Sequence, residues 1–421
     1  MKQGRVQLLG QTAHLSEQLL AEVSIKVELP ERLHKIADKR LDVLKAYIER
    51  PGSPLEGLVD FFYPQGSMAI GSAILSHKRS EGYDIDAIAE LRVDRNASPG
   101  SVLDMLYLSI RGERGSLYYD MTKRQTRCVT VEYGGDYPMH IDITPSMLLS
   151  QYEPRKSHIF HAKPEDPAAS HKRVIVNSFA FCEHFNQMNK ADPDFMAAYD
   201  ARAMAFDAAV YKAAESKPVP EHQSVKDGKS AAVVALQLLK RNRNIRYAAS
   251  SREGKRMPPS VMLAAFACQP GIPAQNIGQA LMHISGAVLT ALETAECAGK
   301  LIHVPNPKCD EDHFTDRWPE NRAAQQLYIS DLKLFMRQLQ GFMTKDLSLE
   351  QAREALTDMF GEAPARSVAE DYMKRAAEHS RSVAPSGRII SQVTGVPTVI
   401  STTRTVEPRA HTFFGTKWKP K

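Results

Sequence analysis

Cysteine is scarce in this chain and follows no recognisable pattern. The five cysteines, at positions 128, 182, 268, 297 and 309, contain no Cys-x-x-Cys pair, so they predict no disulfide framework. The N-terminus has no apolar stretch typical of a signal peptide, and no apolar run approaches the ~18 residues of a membrane span. We therefore expect a cytoplasmic protein in a reducing compartment, with no membrane partner.

An excess of charge of one sign is also missing. The 54 Lys and Arg residues exceed the 49 Asp and Glu residues by five, which is too little to predict nucleic-acid binding by the chain as a whole. Residues 225–256 are the exception, because nine Lys and Arg stand there against Asp227 and Glu253. This stretch is either a solvated basic helix face or a cationic wall over phosphate groups. For Arg241, Arg243 and Arg246 the sequence leaves both interpretations open.

Length and periodicity predict an α+β protein with two lobes. The chain has 421 residues, of which 43% are hydrophobic, enough for a sizeable core and more than one domain usually contains. Strand patterns dominate the first part, and helical spacing dominates after Lys163-Pro164-Glu165-Asp166-Pro167. We predict a sheet-containing lobe at 1–165, a helical lobe at 166–383 and an extended tail at 384–421, which is rich in Pro, Ser, Thr and Gly.

The predicted helices are numerous. Residues 13–50 form two helices split at Leu29-Pro30, and another helix begins at Ser98-Pro99 with Ser98 as its N-cap. In the second lobe we predict helices at 170–188, 193–215, 228–247, 259–269, 273–298, 319–343, 348–360 and 363–382.

Gln65-Gly66-Ser67 is a candidate phosphate-binding turn. It follows a predicted strand at 58–63 and opens a short predicted helix that runs through 68–74. Backbone N–H groups and a hydroxyl at such a turn suit a triphosphate. This motif alone is common, and its meaning depends on what lies beside it.

Three aspartates on two predicted strands are expected to lie beside this turn. Asp84 and Asp86 occupy alternate positions of a strand at 84–91, so both point to the face opposite Ile85 and Ala87. Asp142 lies between Ile141 and Ile143 on a later strand, which we predict to pair in a hairpin with 127–133. Carboxylates clustered in this way repel one another without cations. The set predicts a divalent-metal site that activates a hydroxyl group.

Other suggestive patterns carry less weight. Gly228-Lys229-Ser230 ends like a Walker A loop, but Gln223 occupies the position of its first glycine, so no P-loop is predicted. His158, His161 and the segment 309–313 contain metal-ligating residue types. Neither group is joined by a second two-ligand cluster, so we predict structural or surface roles for them.

The Gly-Ser, Asp-x-Asp and later Asp motifs resemble those of the DNA polymerase β-type nucleotidyltransferases. The match is closest to the bacterial cGAS/DncV-like nucleotidyltransferases, or CD-NTases, and it covers the chain to about residue 380. Weaker resemblance comes from four later segments: 178–185, 236–241, 258–263, and Asn306-Pro307 with 314–318. The resemblance implies a two-lobed polymerase β-like core, with a mixed sheet and helices, followed by a C-terminal helical bundle.

The resemblance also implies an activity and a site. A member of this family would join nucleoside triphosphates, ATP or GTP, into a cyclic di- or trinucleotide used in anti-phage signalling. Asp84, Asp86 and Asp142 would hold two Mg²⁺ or Mn²⁺ ions, and Asp142 would be the general base. Five residues would contact the triphosphate: Gln65, Gly66, Ser67, Lys240 and Ser260. A regulatory or modifying protein would bind the tail, and no duplex DNA activator is expected.

Two alternatives remain open from the sequence. A related transferase of the same superfamily would make a linear oligonucleotide or extend RNA ends. The second alternative is a non-catalytic nucleotide-binding scaffold with the same fold. Such a protein would have no reason to keep three clustered carboxylates. The identity of the bases, the linkage and the ring size lie beyond these motifs.

Overall fold

Alternating apolar residues build a seven-stranded sheet in the N-terminal lobe. The computed structural model describes residues 2–76, 82–149, 155–213 and 229–382. The strands of this sheet are β1 (Val59–Gln65), β2 (Tyr83–Leu91), β3 (Thr122–Arg124), β4 (Val129–Tyr133), β5 (Met139–Leu148), β6 (Ser157–His161) and β7 (Lys172–Val176). The predicted tail at 384–421 lies outside the described residues.

The sheet is mixed, and its one parallel pair lies at the centre. The strand order is β1-β2-β5-β4-β3, with β6 pairing with the far end of β5 and β7 pairing with β6. Strands β2 and β5 are parallel, and the other pairs are antiparallel. The predicted pairing of 127–133 with the strand of Asp142 is confirmed by the β4–β5 register, in which Thr130 lies opposite Asp142.

Two helices cover the apolar face of this sheet. They are α2 (Glu31–Ile48) and α4 (Pro99–Arg111). The hydroxyl of Ser98 caps α4 by accepting a hydrogen bond from the Ser101 N–H at 3.2 Å, as the sequence predicted. Ile85, Ala87 and Ala89 of β2 are fully buried beneath these helices. The opposite face of β2 and β5, which carries the aspartates, is not covered by these helices. It faces the second lobe.

The second lobe is a helical assembly that the N-terminal helix completes. Leu19, Leu20, Val23 and Val27 of α1 (Lys2–Val27) are buried in the same core as the C-terminal helices. The other members are α5 (Ser178–Met188), α6 (Pro193–Ala213), α7 (Ala231–Tyr247), α8 (Ser260–Phe266), α9 (Ile277–Cys297), α10 (Arg322–Thr344), α11 (Leu349–Phe360) and α12 (Glu362–Ser382).

The predicted division at residue 165 differs from these cores. Helix α1 lies in the helical core although it precedes the sheet, and β7 extends the sheet past residue 165. The sequence of β7, Lys-Arg-Val-Ile-Val, lies within the helix predicted at 170–188. That helix begins only at Ser178, where the Asn177 side chain accepts a hydrogen bond from the Ala180 N–H at 3.0 Å.

The predicted helix through 68–74 was wrong in its bounds. The helix after the Gly-Ser turn, α3 (Gly66–Ala69), has only four residues, because the positive φ of 63° at Gly71 breaks it. A small hairpin, β8 (Pro305–Asn306) with β9 (Cys309–His313), interrupts the helices of the second lobe. Among the residues that the structure describes, none of the helices combines the length and apolarity that a membrane crossing requires.

Candidate active site

Strands β2 and β5 bring two of the predicted carboxylates together. In the parallel register Asp86 lies opposite Asp142, and Asp84 lies opposite His140. Side chains at paired positions of neighbouring strands point to the same face of the sheet. Alternation in the sequence predicted which face each aspartate occupies, and the parallel register of β2 and β5 shows that Asp86 and Asp142 lie side by side.

The Gly-Ser turn lies directly against Asp86. Gln65, the last residue of β1, pairs with Asp86 in the antiparallel β1–β2 ladder. Gly66 has a φ of +60°, and a Cβ atom at this position would lie 2.6 Å from Asp86 Oδ2. Both the backbone conformation and the space therefore require glycine here. The Gly-Ser turn and the Asp86 carboxylate are therefore in direct contact.

Burial and the repulsion between neighbouring carboxylates raise the pKa values of Asp86 and Asp142. Burial raises the pKa of Asp86 to about 7, and the carboxylates of Asp142 and Asp84 act in the same direction while Lys240 opposes them. Burial also raises the pKa of Asp142, although the Thr130 hydroxyl, which donates to Asp142 Oδ1 at 2.5 Å, counteracts it. Two buried anions side by side favour a proton or a cation between them.

Asp84 is placed differently from the other two. Its side chain is 75% exposed, and its Oδ1 lies 3.2 Å from His140 Nδ1. Across the described residues, no three His, Cys, Asp or Glu side chains converge at metal-ligand distances. The Asp84 carboxylate lies toward His140, and the Asp142 carboxylate accepts a hydrogen bond from Thr130.

The predicted phosphate ligand Lys240 is buried beneath the site. It is 4% exposed, and its Nζ donates to the carbonyl oxygen of Ser72 at 2.6 Å. Burial lowers the pKa of Lys240 to about 7 and Arg243 adds to this, while Asp86 and Asp84 counteract it. Lys240 therefore lies near the carboxylates, but its hydrogen bond goes to the backbone that follows the Gly-Ser turn.

Ser260 opens α8, and Arg243 holds its hydroxyl. Arg243 Nη1 donates to Ser260 Oγ at 3.0 Å and to the carbonyl oxygen of Pro258 at 2.7 Å. Burial lowers the pKa of Arg243 to about 10. The basic segment around Arg243 is thus no solvated helix face, since Lys240, Arg241 and Arg243 are all buried.

A cavity of about 920 Å³ connects these residues. Seven of the eight predicted site residues line it: Gln65, Gly66, Ser67, Asp84, Asp86, Lys240 and Ser260. The eighth, Asp142, is not among the lining residues but lies opposite Asp86 in the β2–β5 register. The geometry thus assembles the predicted set in one place, while the role of each residue remains a prediction.

Arg127 and Tyr247 on the wall were not singled out from the sequence. The wall also carries Arg252, Lys255 and Arg256 of the basic stretch 225–256, for which a cationic wall over phosphate groups was one of the two interpretations, and Arg317 of the segment 314–318. Arg127 comes from the sheet lobe, where its Nη2 donates to Asp316 of the helical lobe at 2.5 Å. Tyr247 also lines the cavity, with the Arg252 guanidinium 5.0 Å from its ring centre. Arg127 and Tyr247 reach the cavity only in the folded chain, so no local pattern in the sequence marks these two.

The raised pKa of Asp86 predicts a pH dependence of stability without metal. The folded state binds this proton more tightly than the unfolded state does, between pH of about 4 and about 7. In EDTA, we expect the free energy of unfolding to fall across that range as pH rises. Thermal melts of wild type and Asp86→Asn should therefore differ most above pH 7, where Asp86→Asn should be the more stable. Asp60→Asn, an exposed strand acid on β1, is the control. Equal pH slopes in wild type and Asp86→Asn would contradict the assignment.

No protein-family model matches the chain. The chain is 34% identical, over 406 residues, to the cyclic dinucleotide synthase CdnG of Bradyrhizobium diazoefficiens, with 94% of each protein covered. It is 20% identical over 349 residues to a c-di-GMP synthase of Roseivirga ehrenbergii, covering 83% of this chain and 85% of that protein. The structure of the B. diazoefficiens CD-NTase CdnG in complex with GTP matches with a TM-score of 0.70 and 32% identity, covering 84% of this chain and 96% of that one.

Proposed function

The chain belongs to the bacterial cGAS/DncV-like nucleotidyltransferases, or CD-NTases, and from this membership we propose that it condenses nucleoside triphosphates, GTP among them, into a cyclic dinucleotide. One observation carries the assignment to this site. Asp86, which lines the cavity, pairs in register with Asp142, and the Gly66-Ser67 turn is packed against Asp86. GTP is proposed because the B. diazoefficiens relative was solved in complex with it.

The donor set suits magnesium. Carboxylate oxygens are the ligands that Mg²⁺ prefers, and two buried carboxylates with raised pKa values would be relieved by a cation. Asp84 and Asp86 would hold one ion, and together with Asp142 they would hold a second. When bound, such ions neutralise the triphosphate and lower the pKa of the attacking hydroxyl group.

The protein side chains would divide the remaining work. Burial makes the Asp142 carboxylate a stronger proton acceptor than an exposed one, which suits a general base for the acceptor hydroxyl. The hydroxyl attacks the α-phosphate, the bond to the β-phosphate oxygen breaks, and pyrophosphate leaves. Ser67 and the backbone of Gly66 would orient the triphosphate, and Arg243 would orient the Ser260 hydroxyl toward it.

The size and charge of the cavity fit two nucleotides. Its volume of about 920 Å³ lies near the upper end of the range of about 300–1,000 Å³ that small-molecule sites occupy. Arg127, Arg256 and Arg317 on its wall provide positive charge for a second phosphate group. Such room is what a linear intermediate needs if it is to turn and close its ring.

Product identification tests this proposal. The protein is incubated with GTP alone and with all four NTPs, in Mg²⁺, Mn²⁺ or EDTA, and the products are analysed by mass spectrometry after phosphatase treatment. We expect a phosphatase-resistant dinucleotide of cyclic mass, formed with either metal and absent in EDTA.

The other outcomes separate the alternatives. Products with a phosphatase-sensitive terminal phosphate would indicate a linear oligonucleotide or RNA-end transferase. Nucleotide binding with no product under any condition would indicate a scaffold. Signalling in anti-phage defence, and a regulatory or modifying protein that binds the tail, remain predictions of the family resemblance, and the tail itself lies outside the described residues.

A further inference from the structure

Residues 72–75, which we call the strap, run directly on from the Gly-Ser turn. The Ser72 N–H donates to the carbonyl oxygen of Ser67 at 2.9 Å, so the strap begins where the turn ends. Its backbone then pairs with the junction between α1 and α2. The Leu75 N–H donates to the Val27 carbonyl at 2.9 Å, and the Leu29 N–H donates to the Ala73 carbonyl at 3.3 Å.

Three side chains of α7 hold the opposite side of the strap. Gln237 Nε2 donates to the Ala73 carbonyl at 3.1 Å, and Lys240 Nζ donates to the Ser72 carbonyl at 2.6 Å. Arg241 Nη1 reaches the Leu75 carbonyl at 3.4 Å. These three positions lie at i, i+3 and i+4, so they share one face of the helix. All three side chains are buried.

Arg241 is fixed at its other end as well. Its Nε donates at 2.9 Å to the carbonyl oxygen of Phe360, the last residue of α11. The neighbouring Asn242 donates to the Met359 carbonyl at 2.8 Å and has no hydrogen bond to the strap. The guanidinium of Arg241 therefore braces the strap against the end of α11, whereas Asn242 only joins α7 to α11.

The Gly-Ser turn is consequently held at both of its ends. Before the turn, the β1–β2 ladder fixes Gln65 opposite Asp86. After the turn, the strap fixes the position of Ser67 through Ser72. The turn therefore lies between the β1–β2 ladder on one side and the strap on the other. The donors of α7 thus set how the turn faces the cavity.

We propose that Gln237 and Arg241 are positioning residues for the triphosphate. Neither is on the cavity wall, so neither contacts the substrate. They act through the strap, by holding the turn where its hydroxyl and N–H groups meet the phosphates. This inference rests on the proposed function. A Lys240 variant would not test this inference. Lys240 lies on the cavity wall, so its loss would remove both a predicted phosphate contact and a hydrogen bond to the strap.

The test compares Gln237→Met, Arg241→Lys and Asn242→Ala with wild type. Gln237→Met keeps the volume of the side chain and removes the donor to Ala73. Arg241→Lys keeps the charge but cannot span both carbonyls. Because the backbone pairing of the strap to α1 and α2 remains, we expect a moderate effect in these two variants. The KM for GTP should rise about tenfold with kcat changed less than about twofold, since ground-state and transition-state binding are lost together.

Asn242→Ala is the matched control. It lies on the same helix and loses a bond to the same end of α11, but it leaves the strap untouched. We expect a lower melting temperature with KM unchanged at 20 °C. Calorimetric titration with a non-hydrolysable GTP analogue measures triphosphate affinity without turnover, and it should show the same tenfold loss for Gln237→Met and Arg241→Lys alone.

The results separate the two proposals. A wild-type KM and analogue affinity in Gln237→Met would overturn the inference, as would an equal rise in KM for Asn242→Ala, which would indicate general loosening of α7. If Arg241→Lys fails to fold, Gln237→Met decides the matter. If wild type binds the analogue but makes no cyclic product, the proposed function fails, while the binding comparison still tests the strap.

Discussion

Replacing Asp84 and Asp86 together by alanine is expected to abolish the cyclic product. The two carboxylates are proposed to hold the cation that offsets the charge of the triphosphate, a contribution of several kcal/mol to the transition state. At 1.36 kcal/mol for each factor of ten, their loss should lower the rate by about 10³-fold or more. The measurement is product formation over hours at saturating GTP, with Mg²⁺ and separately with Mn²⁺.

The stability of the same variant distinguishes a lost site from a lost fold. In EDTA, the Asp84→Ala/Asp86→Ala protein should melt at the same temperature as wild type or slightly above it, because a partly buried cluster of like charges has been relieved. Asp60→Ala provides the control. It removes an exposed acid of neighbouring β1 whose ion pair with Arg92 is solvated and should leave activity and stability within error. Activity near wild type in the double variant would refute the assignment of the site.

Replacing Lys229 by methionine is expected to cause a large loss of stability. Lys229 forms an ion pair with Glu28 in which the two side chains are only 3% and 2% exposed. Removal of one partner leaves a buried carboxylate without its counter-ion, and such changes typically cost about 3–5 kcal/mol. Urea denaturation followed by circular dichroism measures this loss directly, and Glu28→Gln should give a loss of similar size.

The double variant shows whether the pair itself carries the effect. Lys229→Met combined with Glu28→Gln should recover much of the stability, because no buried charge is then left uncompensated. Lys35→Met is the control, since its partner Glu31 and its own side chain are partly exposed and its loss should cost less than about 1 kcal/mol. If Lys229→Met and Lys35→Met lost the same amount, burial of the pair would not matter.

Local patterns were sufficient to predict the carboxylates and most helices. Alternation in Asp84-Ile85-Asp86 and around Asp142 predicts which face each side chain occupies, because strand geometry has a fixed period of two. Caps and proline positions predicted where α4 begins. The family resemblance added Lys240 and Ser260, and the structure places both at the cavity. These residues were predictable because their signals are local or belong to a known motif.

Features that depend on distant contacts were not predictable in this way. Strand β7 is not one of these features, because Val174, Ile175 and Val176 are β-branched and favour a strand, a local signal that the predicted helix at 170–188 overlooked. The cations of α7 were ambiguous because their burial depends on the strap and on the end of α11. Arg127 meets Asp316, 189 residues away. A single sequence contains no local trace of such meetings.

The packing of α1 into the helical lobe has a consequence for synthesis of the protein. Arg375 of α12 donates to Glu22 at 2.7 Å, and Lys26 pairs with Asp371 at 3.3 Å. These partners emerge from the ribosome about 350 residues after α1, a delay of roughly 20–70 s at ordinary bacterial and eukaryotic elongation rates. Leu19, Leu20 and Val23 share their core with residues of α7, α9 and α10, which are made before α12. The packing of α1 is therefore built up in stages as the helical lobe is synthesised, and its two ion pairs with α12 form last.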